Sequence, residues 1–370
     1  MATLKQIAEE VGTSIAAVSY VLHGRNGEVG PELRKKIKRA LRRHDYQKNA
    51  FVQALRSSNT RLIAVLLPAI QNSYFGRILD EIEKSASEKS YHVIITQTMS
   101  NYERFKAILM RLREFRVSGF IVALPSPLGD AQKDLMKIKI PVVNIDHPYE
   151  LPWIHSVASD DFTGAKDAVR RLIALGHVRI GTIRTATTIK TEKYQPRFLG
   201  YKAALAEAGI PYRPELIDEG ASNNSADAGL DAGRKLITAR NRMSAFFAPS
   251  DLAAIGFAKA ASEKGLSIPD DIALVGYANL DEGIYHTPPI ATVEQHPEEI
   301  GRISANCIID WIEQEKLPPK LTLVPTDFIE RRSIGGPIAT NTRKQEGRVL
   351  RQLVHLPDKR YEGRKYQSLK

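Results

Sequence analysis

Leu4, Ile7, Ala8 and Val11 recur at the spacing of one helix face, so residues 4–11 are expected to form a short amphipathic helix. Gly12 closes it, because glycine readily adopts the left-handed backbone of a tight turn. Ser14 is placed to cap a second helix whose buried side is Val18, Val21 and Leu22. The small Ala8 lets the two helices cross closely, and a small residue, a turn glycine and a core β-branched residue in this order fit a helix-turn-helix. A third helix, from Pro31 to about His44, covers the pair with Leu33, Ile37, Ala40 and Leu41. Its outer face carries Arg34, Lys38 and Arg42 one turn apart, flanked by Lys35, Arg39 and Arg43, with few acids to pair them.

From residue 61 the period changes. RLIAVLLPAI reads as a buried strand, NSYFGRILDEIEKSASEKSY as a helix and HVIITQT as a second strand. Helix over 102–115, strand over 119–124, helix over 128–137 and strand over 140–146 follow. This β-α alternation implies a doubly wound parallel sheet. The rhythm restarts after Asp161, with helix over 162–175, strand over 177–183 and helix over 198–208. AFFAPS, a helix through Glu263 and the strand IALVGY complete it. The expected fold class is therefore α/β: an all-α helix-turn-helix headpiece, then two doubly wound parallel lobes in series with a cleft between them. A ligand would sit in that cleft, beyond the carboxyl ends of the strands.

Charge adds a partner. The net charge is +11, but residues 1–61 hold +7 and residues 336–370 hold +6, leaving the middle at −2. A near-neutral body with two basic ends suggests a polyanion partner. The only cysteine is Cys307, which excludes an intrachain disulfide and a cysteine metal cluster. No apolar run approaches a membrane span, and MATLKQIAEEVG lacks a signal-peptide pattern, so a cytoplasmic, non-membrane protein is expected.

TLKQIAEEVGTSIAAVSYVLHG, followed after a linker by PELRKKIKRALRRHDYQKNAFVQALRSS, resembles the headpiece of the lactose/galactose-repressor (LacI/GalR) family of bacterial regulators. It departs from that pattern at Gln6, Thr13, Ala17 and Tyr20, where Asp, Val, Thr and often Arg are usual. The resemblance implies DNA contact from Thr3, Ser14, Ile15, Ala16, Ser19 and Tyr20. It adds Arg25, Asn26 and, from a hinge helix, Leu55 as a minor-groove wedge. Lys48 and Gln53 depart from the hinge pattern, where Pro and Arg are common. With no Arg, Lys, Asn or Gln on the second helix, reading falls to thymine methyls for Ile15 and Ala16 and one hydrogen bond for Tyr20. The implied domains are a headpiece over 1–47, a hinge over 48–60, a two-lobed effector-binding and dimerisation domain over 61–335 and a basic tail over 336–370.

The resemblance continues through VSGFIVAL, IPVVNID, DDFTGAKDAVRRLIALGHVRIGTI, RFLGYKAAL, DIALVGYANLD, PPIATVEQHPEEIG and FIERRSI, to a periplasmic-binding-protein-like pair of lobes. Ala278 stands where Asp usually follows GY, and PSD (249–251) replaces a more usual N-D or G-D. The resemblance implies effector contacts from Tyr74, Phe75, Asp146, Lys193, Arg197, Ser222 and Asp251. Tyr74 and Phe75 would stack on a sugar or base face, though both also suit core packing. Asp251 opens a helix-like run and also suits an N-cap. Arg184, Lys190, Lys193 and Arg197 in one loop raise the idea of an anionic effector, with a solvated basic loop as the rival.

No dinucleotide, P-loop, zincin or nucleophile-elbow motif is present, and the nine His are dispersed, so no enzyme, cofactor or metal is expected. His177 reads as a structural turn residue. The expected protein is a regulator, most simply a repressor, that binds a palindromic operator in double-stranded DNA as a homodimer under a small-molecule effector, a sugar or sugar derivative. The alternatives are a sugar-binding uptake protein, which has no use for residues 1–60, and a co-repressor-dependent regulator with a non-sugar effector. Val349, Leu350, Leu353 and Leu356 before Pro357 make a poor heptad series, so a dimer with a disordered tail is expected rather than a tetramer.

Overall fold

The computed structural model describes residues 3–22, 24, 27–44, 60–124, 131–149, 151, 153–185, 195–221, 225–238, 241, 243–314 and 321–336. The chain divides into two units between Arg61 and Leu62.

The first unit holds three helices, α1 (Leu4–Val11), α2 (Ile15–Leu22) and α3 (Pro31–Arg43). Thr3 caps α1: its hydroxyl accepts the Gln6 N–H, and the Gln6 side chain accepts from the Thr3 N–H in return. Gln6 thus completes a capping box. Gly12 follows with φ 71, the left-handed turn expected of it. The Ser14 hydroxyl accepts the Ala17 N–H at 3.1 Å and so starts α2. Ile7, Ala8, Val18, Val21, Val29, Ile37 and Ala40 form the core, with Leu33 and Leu41 packed against it. Each large aliphatic residue there contributes about 1.5–3 kcal/mol by leaving water.

The second unit has two lobes. In the first, β1 (Leu62–Leu67), β2 (His92–Gln97), β3 (Gly119–Ala123), β4 (Val142–Ile145) and β5 (His155–Ser159) lie parallel in the order β5-β4-β3-β1-β2. Helix α4 (Ser73–Glu88) covers one face. Helices α5 (Tyr102–Glu114) and α6 (Ala131–Met136) cover the other. β1, β3, β4 and β5 are almost wholly buried, as a parallel sheet covered on both faces requires.

The second lobe has α7 (Asp161–Ala174), β6 (Ile180–Thr185), α8 (Pro196–Glu207), β7 (Ile217–Ala221), α9 (Ala226–Leu236), β8 (Ala245–Phe247), α10 (Asp251–Glu263) and β9 (Ala273–Val275). Its strands are parallel in the order β7-β6-β8-β9. α7 and α8 pack on one face and α9 and α10 on the other. β6 begins three residues later than the sequence suggests, because His177 belongs to the turn after Gly176. His177 is buried with Nδ1 3.1 Å from the Ser244 hydroxyl, and burial pushes its pKa down to about 4.

The lobes are not simply in series. After the short α11 (Asp281–Ile284) and β10 (Thr292–Glu294), helix α12 (Pro297–Gln314) returns to the first lobe and packs beside α4. β11 (Leu321–Val324) then joins that lobe's sheet as an edge strand parallel to β5. β12 (Asp327–Ile329) goes back to pair antiparallel with β10. The chain therefore crosses between lobes three times: at Asp160, at Gln295–His296 and at Pro325–Thr326. Leu280, Ala278 and Leu252, from the second lobe's segments, pack into the first lobe's core, so the seam between lobes is partly apolar.

Candidate nucleic-acid face and interlobe effector site

In the first unit, Ser14, Ile15 and Ala16 are exposed together at the start of α2, with Ile15 49% exposed. Ser19 and Tyr20 are half-buried, and the Tyr20 ring packs against the core. The Tyr20 ring is thus partly withdrawn from the surface. Thr3 is exposed but spends its hydroxyl on the α1 cap. Arg25, Asn26 and Leu55, with residues 48–59 of the hinge, lie outside the described residues.

The basic face of α3 is less free than its scarcity of acids suggests. Arg43 reaches Glu10 of α1 at 2.7 Å and His44 shares the same carboxylate, lowering the Glu10 pKa. Lys35 pairs with Glu32 at 3.3 Å, and Arg34 donates to the Val29 carbonyl at 2.9 Å. Lys36, Lys38, Arg39 and Arg42 remain exposed and make no side-chain ion pair among the described residues. An exposed apolar helix start suits a major groove, and exposed cations in the same unit suit its phosphates.

In the second unit, the first and second crossings meet at Asp161. Its Oδ1 accepts from Ser159 Oγ (2.6 Å), Gln295 Nε2 (3.0 Å) and the Tyr277 hydroxyl (3.1 Å), and its Oδ2 from Arg197 Nε (2.9 Å). Arg197, in the first turn of α8, also donates to the Pro249 carbonyl at 2.6 Å and lies 4.1 Å from the centre of the Tyr277 ring. Burial works against the Arg197 charge, but Asp161 and the nearby Tyr277, Asp146 and Tyr74 outweigh it, raising its pKa above the ordinary value.

Tyr74 and Phe75 are both buried in the first turn of α4, edge to face at 5.2 Å. The buried Tyr74 phenol faces Ser159 without a well-formed hydrogen bond. Burial, with the charges of Asp146 and Asp161, pushes its pKa well above the usual range. Asp146 follows β4 with φ 79, a left-handed backbone in a non-glycine residue, and its carboxylate lies 3.6 Å from His147 Nε2. Ala278 (φ 99) and His296 (φ 52) share that conformation near the same seam. Strain of about 1–3 kcal/mol per residue tends to gather at such functional places. Tyr74, Asp146 and Arg197 are thus brought together.

Asp251 is not with them. Ser250, not Asp251, caps α10, and Asp251 is fully buried. Both its oxygens are taken, by the Thr292 hydroxyl and by the Leu280 N–H, each at 2.7 Å. These bonds tie the start of α10 to the segments that carry α11 and β10. The loop of cations also shrinks: Arg184 pairs with Glu219 at 2.9 Å, and Arg197 is committed to Asp161. Lys190, Lys193 and Ser222 lie outside the described residues, as does the tail from 337. Asp161, Ser159, Tyr277 and Gln295 escaped the sequence reading, although the Asp-Asp pair before a helix was a visible cap signal. No cluster of metal-ligating side chains occurs among the described residues.

A small three-helix unit built on a capped helix-turn-helix, joined to two parallel α/β lobes with three crossings, defines a DNA-binding regulator with a sensor body. Two family models match: bacterial regulatory proteins of the lacI family over residues 3–49, and a periplasmic binding protein-like domain over residues 169–334. The HTH-type transcriptional repressor PurR of Yersinia pestis bv. Antiqua (strain Antiqua) is 30% identical over 338 residues, covering 90% of this chain and 97% of its own. A transcriptional regulator CelR–cellobiose complex is 26% identical with a TM-score of 0.66, over 90% of this chain and 100% of its own. The Lac repressor dimer bound to operator and an anti-inducer shares the fold, with a TM-score of 0.75 at 23% identity over 90% of this chain and 99% of its own. The chain belongs to the lacI family of bacterial regulatory proteins. It is a DNA-binding transcriptional regulator and not an enzyme.

Proposed function

We propose that this protein acts in the cytoplasm as a homodimeric repressor of a near-palindromic operator, controlled by a small molecule held between the lobes. Two-fold symmetry of a dimer would demand two half-sites related by the same axis. Ser14, Ile15 and Ala16 would meet the major groove, with Ser19 and the Tyr20 hydroxyl beside them. Lys36, Lys38, Arg39 and Arg42 would supply phosphate contacts. Thr3, Arg25, Asn26 and the Leu55 wedge would complete the interface.

The observation that carries the sensor reading is the buried Asp161–Arg197 pair, which sits where Gln295 brings the second crossing to the first and lies within electrostatic reach of Tyr74 and Asp146. Two acids and one already neutralised guanidinium suit a neutral polyhydroxyl ligand better than an anion. Tyr74, Phe75, Asp146 and Arg197 would contact it, with Lys193 and Ser222 at the rim. That a relative's solved structure is a cellobiose complex supports the same class. Effector and operator binding would be linked reciprocally, as induction or co-repression. Selection of bound duplexes from a random pool should return a near-palindrome, and no enrichment would defeat the operator reading. Calorimetry of neutral sugars against their phosphates should favour the neutral forms; tighter phosphate binding would reverse the ligand class.

A further inference from the structure

The parallel sheet of the first lobe has two ends with different chemistry. The carboxyl ends of β1, β4 and β5 lead to Tyr74, Asp146 and Asp161. The opposite end is where β1 begins at Leu62, immediately after the linker from the helix-turn-helix unit. α5 and α6 both finish at that end. Ser118 N–H bonds the Leu62 carbonyl at 2.7 Å, and Phe120 N–H bonds the Pro141 carbonyl at 3.0 Å. Arg113 and Arg116 therefore precede β3, and Lys137 and Lys139 precede β4, on one rim beside the root of the linker. All four are exposed.

The charge of this face is far from that of the body. Residues 111–116 and 137–139, where α5 and α6 finish, together hold five Lys/Arg against Glu114, in a body whose net charge is −2. Asp134 is already shared by the Tyr102 hydroxyl (2.6 Å), Lys137 (3.2 Å) and Lys106 (3.8 Å), which lower its pKa. Arg113 and Lys139 make no side-chain ion pair among the described residues. Helix packing does not call for this excess, because α5 buries Phe105, Leu109 and Leu112 on its other side.

We infer that this rim is a second DNA-contacting surface, which holds the phosphate backbone of duplex flanking the site read by α2. The chain itself supplies the tether: residues 45–61 join α3 to β1 and allow at most about 60 Å even if fully extended. DNA held by the first unit is thereby covalently confined to within reach of the second, which raises its effective concentration at the rim. The rim carries no base-reading role; it adds salt-dependent affinity and a demand for flanking duplex. The exposed Met110 and Met136 on the same lobe face also suit an acidic protein, and that partner predicts unchanged DNA binding.

The test compares the full chain with R113Q/K139Q, two exposed substitutions outside both cores. Each binds a duplex ending at the edges of the selected operator and one extended by about 15 base pairs on each side, across a salt series. The wild type should prefer the long duplex by about tenfold, with a slope of log affinity against log salt steeper by about 2. The double variant should bind both lengths alike and match the wild type on the short one. No length preference in the wild type, or an unchanged preference in the variant, would overturn the inference. Failure of the operator reading is separate, because it would already show as no enriched sequence. Two mixed-sequence duplexes of the same lengths would then carry the comparison.

Discussion

Asp251 has no exposed surface and occupies the first position of α10. Burial pushes its carboxyl up to about 7, although the hydrogen bonds from Thr292 and the Leu280 N–H pull the other way. An unfolded aspartate titrates near 3.9. Between about pH 4 and pH 7 the folded chain therefore holds a proton that the unfolded chain has lost, so stability falls as pH rises through that window and is level above it. Asp251→Asn removes the dependence. The difference in urea midpoint between variant and wild type should move in the variant's favour from pH 5 to pH 8; a constant difference would contradict the raised pKa. Tyr20 makes a second case. Tyr20→Arg should change the half-site recovered by duplex selection, because arginine adds a guanine reader. It should also lower the headpiece melting temperature, by about 1 kcal/mol of stability, since the half-buried ring leaves the core. An unchanged half-site would mean that position 20 does not face bases.

Helices were the most legible elements, since one apolar face is local information. The cap at Ser14 and the turn at Gly12 were read from the chain, and the Thr3 cap, though not read, rests on side chains just as local. What the pattern could not place was the return of α12 and β11 to the first lobe. Leu321 of β11 pairs with Ser156 of β5, and nothing near either residue names the other. The partners of Asp251 were hidden for the same reason, because Leu280 and Thr292 are far along the chain. Tyr74, Asp146 and Arg197 were singled out only through family resemblance, whereas Asp161 and Gln295, which the structure puts beside them, had no marker beyond a cap. The α9–α10 contact was equally hidden. A Cβ on Gly229 would fall 1.9 Å from the Ala253 carbonyl oxygen, and one on Gly256 1.8 Å from that of Ala226. Both obstacles are backbone, so the helices must separate. Gly229→Ala or Gly256→Ala should each cost about 3 kcal/mol or more, seen as early melting of the second lobe. A loss below about 1 kcal/mol would mean that the helices slide freely.

At the scale of the whole sensor unit, the three crossings must transmit any change of lobe angle, and one side chain is tied to the middle crossing from outside it. Arg77, one turn after Tyr74 on α4, donates to both oxygens of Glu298 (2.6 and 3.0 Å) and to Glu294 (3.2 Å). Glu294 in turn accepts from Asn279 Nδ2 (2.6 Å) and the His296 N–H (2.9 Å), and Arg331 bonds the Asn279 side-chain oxygen. The helix that carries the aromatic pair is thereby fastened to the crossing and, through it, to the second lobe. Effector binding that moves α4 must strain or release this network, which gives the coupling a physical route. Arg77→Met should remove about 1–2 kcal/mol, between the values of an exposed and a buried pair, because Glu298 is open to solvent while Glu294 is buried. Hydrogen exchange should then show about tenfold faster opening at the amides of Ala278 and His296 in the variant. The amides of α9, remote from the crossing, should keep their protection. Equal acceleration in both places would mark a general loss of stability, and no acceleration at the crossing would mean that Arg77 does not hold the lobes.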